Sequence, residues 1–240
     1  MSLQDPSSKL QDLGAAPRHL GLILDGNRRW ARAQGLPTLE GHRQGYENLK
    51  TIAEAAFDVG VEFVSAYIFS TENWNRSKEE VGYLMKLVIN IATKDLNQLI
   101  EKNIKVVFLG TRDKLSRPVE KAIDDAMERS KNNTGGTIAL CFNYGGQLEI
   151  IDAVKALVAK GTKAEEITKE MIEANLYHPE VPPVDFMIRT SGEQRISNFM
   201  LWRMSYAELY FVEKHWPAFT VDDLQIAFLE YASRQRRFGK

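Results

Sequence analysis

Short apolar runs alternate with stretches of helical periodicity along this chain, and that alternation restricts the fold more than any other feature. The runs are Leu20–Leu24, Val61–Ser70, Ile104–Leu109, Thr137–Tyr144, Asp185–Arg189 and Ala207–Val212, all of strand length. Between the first two, Tyr46, Leu49, Ile52, Ala53, Ala56 and Phe57 recur at helical spacing, predicting a helix over 41–59. Further helices are predicted from Arg28, after the loop Gly35–Thr38 resumes at Gly41, and over Lys78–Lys102, Lys114–Ser130, Gln147–Ala159, Ala164–Asn175 and Val221–Arg237. Strands alternating with helices give a mostly parallel sheet covered on both faces. The expected fold class is α/β: a single domain with a mostly parallel six-stranded sheet flanked by helices.

Composition narrows the function. The 240 residues suffice for one large domain with a substantial core. Lys and Arg total 31 against 32 Asp and Glu, a net charge of −1, which argues against nucleic acid or a membrane surface as a general electrostatic partner. The single cysteine, Cys141, excludes an internal disulfide and a multi-cysteine metal centre. It lies in the apolar run Ile138–Phe142, where a buried, inert thiol is expected. Residues 1–17 read as a flexible polar lead-in to a domain spanning 18–240. No apolar stretch resembles a signal sequence or a membrane span, so a cytoplasmic protein is expected.

The chemistry gathers at predicted strand ends. Leu20–Leu24 runs into Asp25-Gly26-Asn27, a turn sequence, and then Arg28-Arg29-Trp30-Ala31-Arg32. A strand–turn–helix junction of this kind aims backbone N–H groups at one spot, and an acid among cations suggests a metal-bridged phosphate. An ordinary βα turn with Asp25 capping the helix uses the same residues, and this stretch alone does not choose. Ser70-Thr71-Glu72-Asn73-Trp74-Asn75-Arg76 follows the second strand, and Arg189-Thr190-Ser191-Gly192-Glu193-Gln194-Arg195-Ile196-Ser197 the fifth. In a parallel sheet the three segments converge on one rim, where open α/β sheets place their ligands. Two arginines with a serine suit a diphosphate, which guanidinium groups hold in bidentate fashion. The standard nucleotide cradles GxxxxGK[ST] and GxGxxG are absent, as is HExxH.

Taken together, DGNRRWA, GH with Gly45, FSTENWNR, DFMIRTSGEQRISNFMLW and YAEL resemble the cis-prenyltransferases, the bacterial undecaprenyl diphosphate synthases or isoprenyl transferases in particular. The resemblance extends from about His19 to Gly239, with the motifs in order. It implies repeated cis condensation of isopentenyl diphosphate onto an allylic diphosphate such as farnesyl diphosphate. It also implies Mg²⁺ as cofactor, a homodimer, transient membrane contact for release of product, and a role in making the cell-wall lipid carrier. The trans-prenyl synthases, helical proteins that use DDxxD, are disfavoured because that motif is absent.

The same resemblance assigns roles. Asp25 would hold Mg²⁺, with Glu208 as a second ligand. Gly26, Asn27, Arg28 and Arg29 would receive the allylic diphosphate, and Trp30 and His42 match positions that line the same pocket. Asn73 matches the residue usually given as proton acceptor, although a neutral amide is a poor base and diphosphate or Asp25 could take the proton instead. Ser70, Thr71 and Glu72 belong to a mobile substrate loop, with Trp74 and Phe69 offering apolar surface near the reacting carbons and Arg76 supplying further charge. Arg189, Arg195, Ile196 and Ser197 match the isopentenyl diphosphate pocket, and Arg237-Phe238-Gly239 a tail motif that in some members reaches the partner subunit.

Three positions depart from the common bacterial pattern. Thr38 stands where many members carry an arginine, Arg28 where many carry glycine, and Gln194 where histidine is frequent. Ile68 occupies a place where makers of long chains tend to have a small residue, so a shorter-chain synthase is an alternative. A non-catalytic partner subunit is a second alternative, opposed by the presence of Asp25, Asn73, Arg189, Arg195 and Glu208. A generic phosphate-binding α/β module would not need both RTSGEQRIS and STENWNR.

Overall fold

Strand β1, His19–Ile23, is buried along its whole length, as an apolar run in the middle of a sheet must be. In the computed structural model, which describes residues 16–234, it pairs in parallel with β2, Phe63–Ser70, and on its other side with β5, Phe186–Arg189. Strands β3, Ile104–Leu109, and β4, Gly136–Tyr144, extend the sheet beyond β2, and β6, Glu208–Phe211, extends it beyond β5. The order is β3-β4-β2-β1-β5-β6 and every pairing is parallel, so the expected sheet is present and wholly parallel. The chain leaves β1 towards β2 but returns on its opposite side as β5. That reversal opens a crevice at the carboxyl ends of β1 and β5.

Eight α-helices among the described residues connect the strands: α1 Asn27–Ala33, α2 Thr38–Asp58, α3 Lys78–Asn90, α4 Leu96–Glu101, α5 Arg117–Ser130, α6 Gly146–Ala159, α7 Lys169–Glu173 and α8 Val221–Ser233. Helix α2 begins at Thr38 rather than Gly41, because Pro37 (φ −57°, ψ 142°) sets the extended residue before a first turn. The helix expected over 78–102 is interrupted by a π turn, Ile91–Asp95. Helix α5 starts at Arg117, not Lys114, since Lys114 takes φ 63° and Pro118 sits in the first turn. The stretch 164–175 is a 3₁₀ turn, Ala164–Glu166, followed by the short α7. Most of the lead-in and the Arg237-Phe238-Gly239 motif lie outside the described residues.

One sheet face buries Leu20, Leu22, Val64, Ala66 and Ile188 against Leu49 and Ile52 of α2, Leu84 and Val88 of α3, Ile123 of α5 and Phe228 of α8. The opposite face, with Ile23, Leu109, Cys141 and Met187, packs on Val181, Val184, Phe199 and Met204 of the long segment flanking β5. Cys141 is wholly buried, and desolvation pushes its thiol well up, as an inert core cysteine requires.

A buried ion pair holds that flanking segment. Arg203 donates to Glu149 at 2.5 Å, and to the carbonyls of Val181 and Tyr177 at 3.1 and 2.6 Å; Tyr144 Oη donates to Glu149 as well. Removing one member leaves a buried charge uncompensated. Arg203→Met is therefore expected to cost about 3–5 kcal/mol, seen as a lower urea midpoint at unchanged slope. An unaltered midpoint would show that the Arg203–Glu149 contact does not stabilise the fold.

Candidate active site

The turn after β1 is built to present one carboxylate. Gly26 adopts φ 98°, and a Cβ there would stand 2.6 Å from Ser191 Oγ and 2.7 Å from His215 Nδ1, so only glycine fits. The Asp25 carbonyl accepts from Thr190 Oγ1 at 2.7 Å and from the Trp216 N–H at 3.0 Å, tying the turn to the loop after β5 and to the segment after β6. Asn27 Nδ2 donates to the Leu24 carbonyl at 3.0 Å. Helix α1 has only seven residues, so cationic side chains rather than a long helix dipole supply most of the positive potential.

Arg189, at the carboxyl end of β5, meets Asp25 across the crevice. Its Nη2 lies 2.9 Å from Asp25 Oδ2, while Nη1 donates to Ser197 Oγ at 2.8 Å and to the Arg195 carbonyl. The side chain is 4 % exposed, and its Nε is a buried donor without a partner. Asp25 Oδ1 accepts from the Gly26 N–H at 2.7 Å and from Arg29 at 3.2 Å. Burial alone would raise the Asp25 pKa, but the bond and charge of Arg189, with Gly26 and Arg29, outweigh it and hold the carboxyl below its ordinary value.

Most of the other cations at this rim also have a carboxylate, Arg32 being a lining residue that makes no ion pair among the described residues. Glu193 bridges Arg29 at 3.1 Å and Arg195 at 2.5 Å. Glu80 gathers Arg76 at 2.8 Å, His42 Nε2 at 3.0 Å and Arg28 at 3.4 Å. Burial lowers the His42 pKa, and the neighbouring Glu80 only partly opposes this.

The loop after β2 is set by paired irregularities. Between Tyr67 and Phe69, β2 spends two residues against one step of β4, and the register recovers where Asn143 (φ 50°) is passed over in β4. Ile68 is thus the bulged residue, and bulges re-aim side chains beside sites. Ser70 and Asn73 form a reciprocal cap, with the Ser70 N–H donating to Asn73 Oδ1 at 3.2 Å. Asn198 Nδ2 donates to Glu72 at 3.0 Å, joining this loop to the one after β5.

Together these segments enclose a cavity of about 790 Å³. Asp25, Gly26, Asn27, Arg28, Arg29, His42, Ser70, Glu72, Asn73, Arg76, Arg189 and Ser197 line its mouth, and Leu49, Ile68, Leu84, Val88 and Ile91 its apolar interior. A polar mouth over an apolar chamber suits an amphiphile with an anionic head. Trp30, Thr71, Arg195 and Ile196 are not among the lining residues; Arg195 contributes its carbonyl to Arg189, and Ile196 packs on the core.

Two further expected site residues stand away from the cavity. Trp74 turns away from the cavity: its Nε1 donates to Asn143 Oδ1 at 2.7 Å and its ring meets Phe69 edge-on at 5.3 Å, so it props the loop from behind. Glu208 does not join Asp25 within one chain. It opens β6, level with Phe186 and Leu20, whereas Asp25 lies five residues beyond Leu20, roughly 16 Å further along the strand direction. Its carboxylate pairs instead with Arg234 at 3.1 Å. The sequence reading gave no role to Glu80 or Asn143 and named Glu193 only as part of its loop. Glu80, four residues after Arg76 at a helix start, carried a weak signal, and the other two none.

Comparison with known proteins follows the same outline. The family model for undecaprenyl diphosphate synthase matches residues 23–239. An isoprenyl transferase of Staphylococcus saprophyticus is 45 % identical over 232 residues, covering 95 % of this chain and 91 % of its own. A crystal structure of lavandulyl diphosphate synthase from Lavandula x intermedia, in complex with dimethylallyl diphosphate, superposes with a TM-score of 0.88 at 33 % identity over 94 % of this chain and 99 % of that one. The structure of a probable undecaprenyl diphosphate synthase from Campylobacter jejuni gives 0.80 at 29 % identity over 94 % and 100 %.

The Asp25–Arg189 contact makes a pH-dependent prediction. A carboxyl depressed in the folded state adds stability that is full above its unfolded pKa of about 3.9 and is lost as pH falls through the folded value. In Arg189→Gln the burial remains while the main opposing contact goes, so the Asp25 titration, followed by carbon-13 NMR, is expected to move upward. A titration that stays in place would show that Arg189 does not set this carboxyl.

Proposed function

The chain belongs to the undecaprenyl diphosphate synthase family of isoprenyl transferases, and from that premise we propose that it condenses isopentenyl diphosphate repeatedly, in cis, onto an allylic diphosphate such as farnesyl diphosphate. The observation that carries this reading is the Asp25–Arg189 pair at the mouth of an apolar chamber, with cations from two loops on either side. Arg28, Arg29, His42 and Arg76 would receive the allylic diphosphate, and Arg189, Arg195 and Ser197 the isopentenyl diphosphate. As the allylic C–O bond breaks, the departing diphosphate gains charge, and preformed cations stabilise it without reorganisation. Asn73, its oxygen already engaged by the Ser70 N–H, is suited to position the isopentenyl group rather than to act as a base.

Mg²⁺ fits the donor set. Among the described residues no cluster of three or more His, Cys, Asp or Glu could hold a metal, which disfavours an all-protein cage. Asp25 offers a half-buried carboxylate facing the diphosphate sites, and Mg²⁺ is commonly bound by one or two carboxylates plus substrate phosphates. When bound, it would supply further neutralisation of the leaving diphosphate. Glu208 could serve such an ion only from a second copy of the chain. A homodimer is part of the proposal: β6 is an edge strand, and Leu209 and Tyr206 are exposed there. Transient peripheral membrane contact at the cytoplasmic face, for product release, is also part of the proposal; no helix among the described residues is long and apolar enough to cross a membrane.

The product implied by the resemblance is undecaprenyl diphosphate for the cell-wall lipid carrier. A shorter product is the second reading, favoured by the bulged Ile68 on the chamber wall.

Incubation of the full chain with farnesyl diphosphate, labelled isopentenyl diphosphate and Mg²⁺ is expected to give a ladder of cis products, and Asp25→Ala to lower kcat roughly 10²–10³-fold. No product from the wild type would overturn the reading and favour a non-catalytic partner subunit. Arg28→Gly is expected to raise KM for the allylic substrate roughly tenfold, with Thr38→Arg restoring it; an unchanged KM would remove Arg28 from the site. Ile68→Ala is expected to lengthen the products, and an identical ladder would clear Ile68 of any role in length.

A further inference from the structure

Behind the catalytic cavity lies a second one of 350 Å³, between α2, the π turn with α4, and strands β3 and β4. Ala53, Phe57, Leu99, Ile104, Ile138 and Leu140 give it apolar walls. Tyr46, Leu49 and Ile91 line both cavities, so these three side chains form the partition between them.

The partition is fixed by a polar contact that core packing does not require. Tyr46 Oη donates to Asp95 Oδ2, and Asp95 is the last residue of the π turn. Lys50 stands 3.4 Å from the other Asp95 oxygen and 2.7 Å from Glu47, with its ammonium 4.8 Å from the centre of the Tyr46 ring. A π turn takes one residue more than an α turn, which rotates everything after it by about 100° relative to an unbroken helix. Such turns are uncommon and frequently mark functional sites. Here the irregularity ends on the carboxylate that pins an aromatic ring at the junction of two apolar chambers. Burial and the Asp95 charge both raise the Tyr46 pKa, so the phenol remains a donor at all ordinary pH.

We propose that Tyr46, pinned by Asp95, sets the length of the product. The growing hydrocarbon fills the front chamber from the diphosphate end. Elongation stops when its far end meets the ring, and the rear chamber stays out of reach while the Tyr46–Asp95 contact holds. This inference rests on the prenyl-elongation reading and adds the partition, at the far end of the chamber, as a limit separate from any narrowing at Ile68.

The test compares wild type, Tyr46→Ala, Tyr46→Phe and the double variant Tyr46→Ala/Ala53→Phe, using farnesyl diphosphate, labelled isopentenyl diphosphate and Mg²⁺. Products are resolved by length, and the first condensation is timed by single turnover. Tyr46→Ala is expected to add about two or more isoprene units while changing the first condensation by no more than about twofold. Ala53→Phe, which refills the rear chamber, is expected to cancel the gain. Tyr46→Phe keeps the packing but frees the ring, and is expected to lengthen products to a smaller degree; it decides the matter if Tyr46→Ala does not fold. A wild-type ladder unchanged in the folded variants overturns the inference while leaving the activity standing.

A wild type that makes no product overturns the activity instead. Calorimetry with sulfur-bridged prenyl diphosphates then tests the partition without turnover. Tyr46→Ala is expected to bind a long-tailed analogue at least about tenfold tighter than wild type, with farnesyl-length binding unchanged. No gain for the long tail overturns the inference by that route too.

Discussion

Asp25 and Arg189 face each other across the seam between β1 and β5, and the rest of the site is arranged about that contact. A guanidinium buried to this degree cannot shed its proton, so it must have an anion within reach. Asp25 supplies one at 2.9 Å, and the carbonyl of Arg195 and the hydroxyl of Ser197 take the other end of the group. The pair can form because the chain crosses the sheet centre twice, in adjacent parallel strands that end level with one another. Ile23 and Arg189 are register partners, and Thr190 after β5 and Trp216 after β6 both donate to the Asp25 carbonyl. Two loops far apart in sequence are thereby locked to one acid.

Charge balance explains how so many cations share one mouth. Glu193 spans Arg29 and Arg195, while Glu80 spans Arg28, His42 and Arg76. These carboxylates spare the guanidinium groups from mutual repulsion and hold them in place, and under the proposed function a diphosphate would compete with them for the same donors. The near-neutral total charge of the chain therefore conceals a site that is locally prepared for anions. Most of these pairs are partly exposed, so their worth lies in orientation more than in stability.

Much of this was legible in the sequence because the central strands are buried on both faces. Leu20–Leu24 and Asp185–Arg189 have little freedom to be anything else, and the polar clusters following them fall on one rim once the sheet is parallel. The motifs then named the family. What the sequence could not carry was position in space. YAEL places Glu208 in a recognisable order but says nothing of which end of β6 it occupies, and it opens the strand. Trp74 sits among polar neighbours, yet its indole finds Asn143 and Phe69 behind the loop. The π turn leaves no mark because only the short helix Leu96–Glu101 follows it, too little chain to reveal a change of phase. The bulge at Ile68 is likewise invisible, since it is created by the partner strand as much as by β2.

The most direct measurement is a crystal structure of the full chain with Mg²⁺, isopentenyl diphosphate and a sulfur-bridged farnesyl diphosphate that cannot ionise. The expected result is two diphosphates meeting at Asp25, one on Arg28, Arg29 and Arg76 and the other on Arg189, Arg195 and Ser197, with the farnesyl tail in the apolar chamber. Diphosphates bound away from Asp25, or a tail lying outside that chamber, would contradict the central claim that one acid–guanidinium contact organises both substrates.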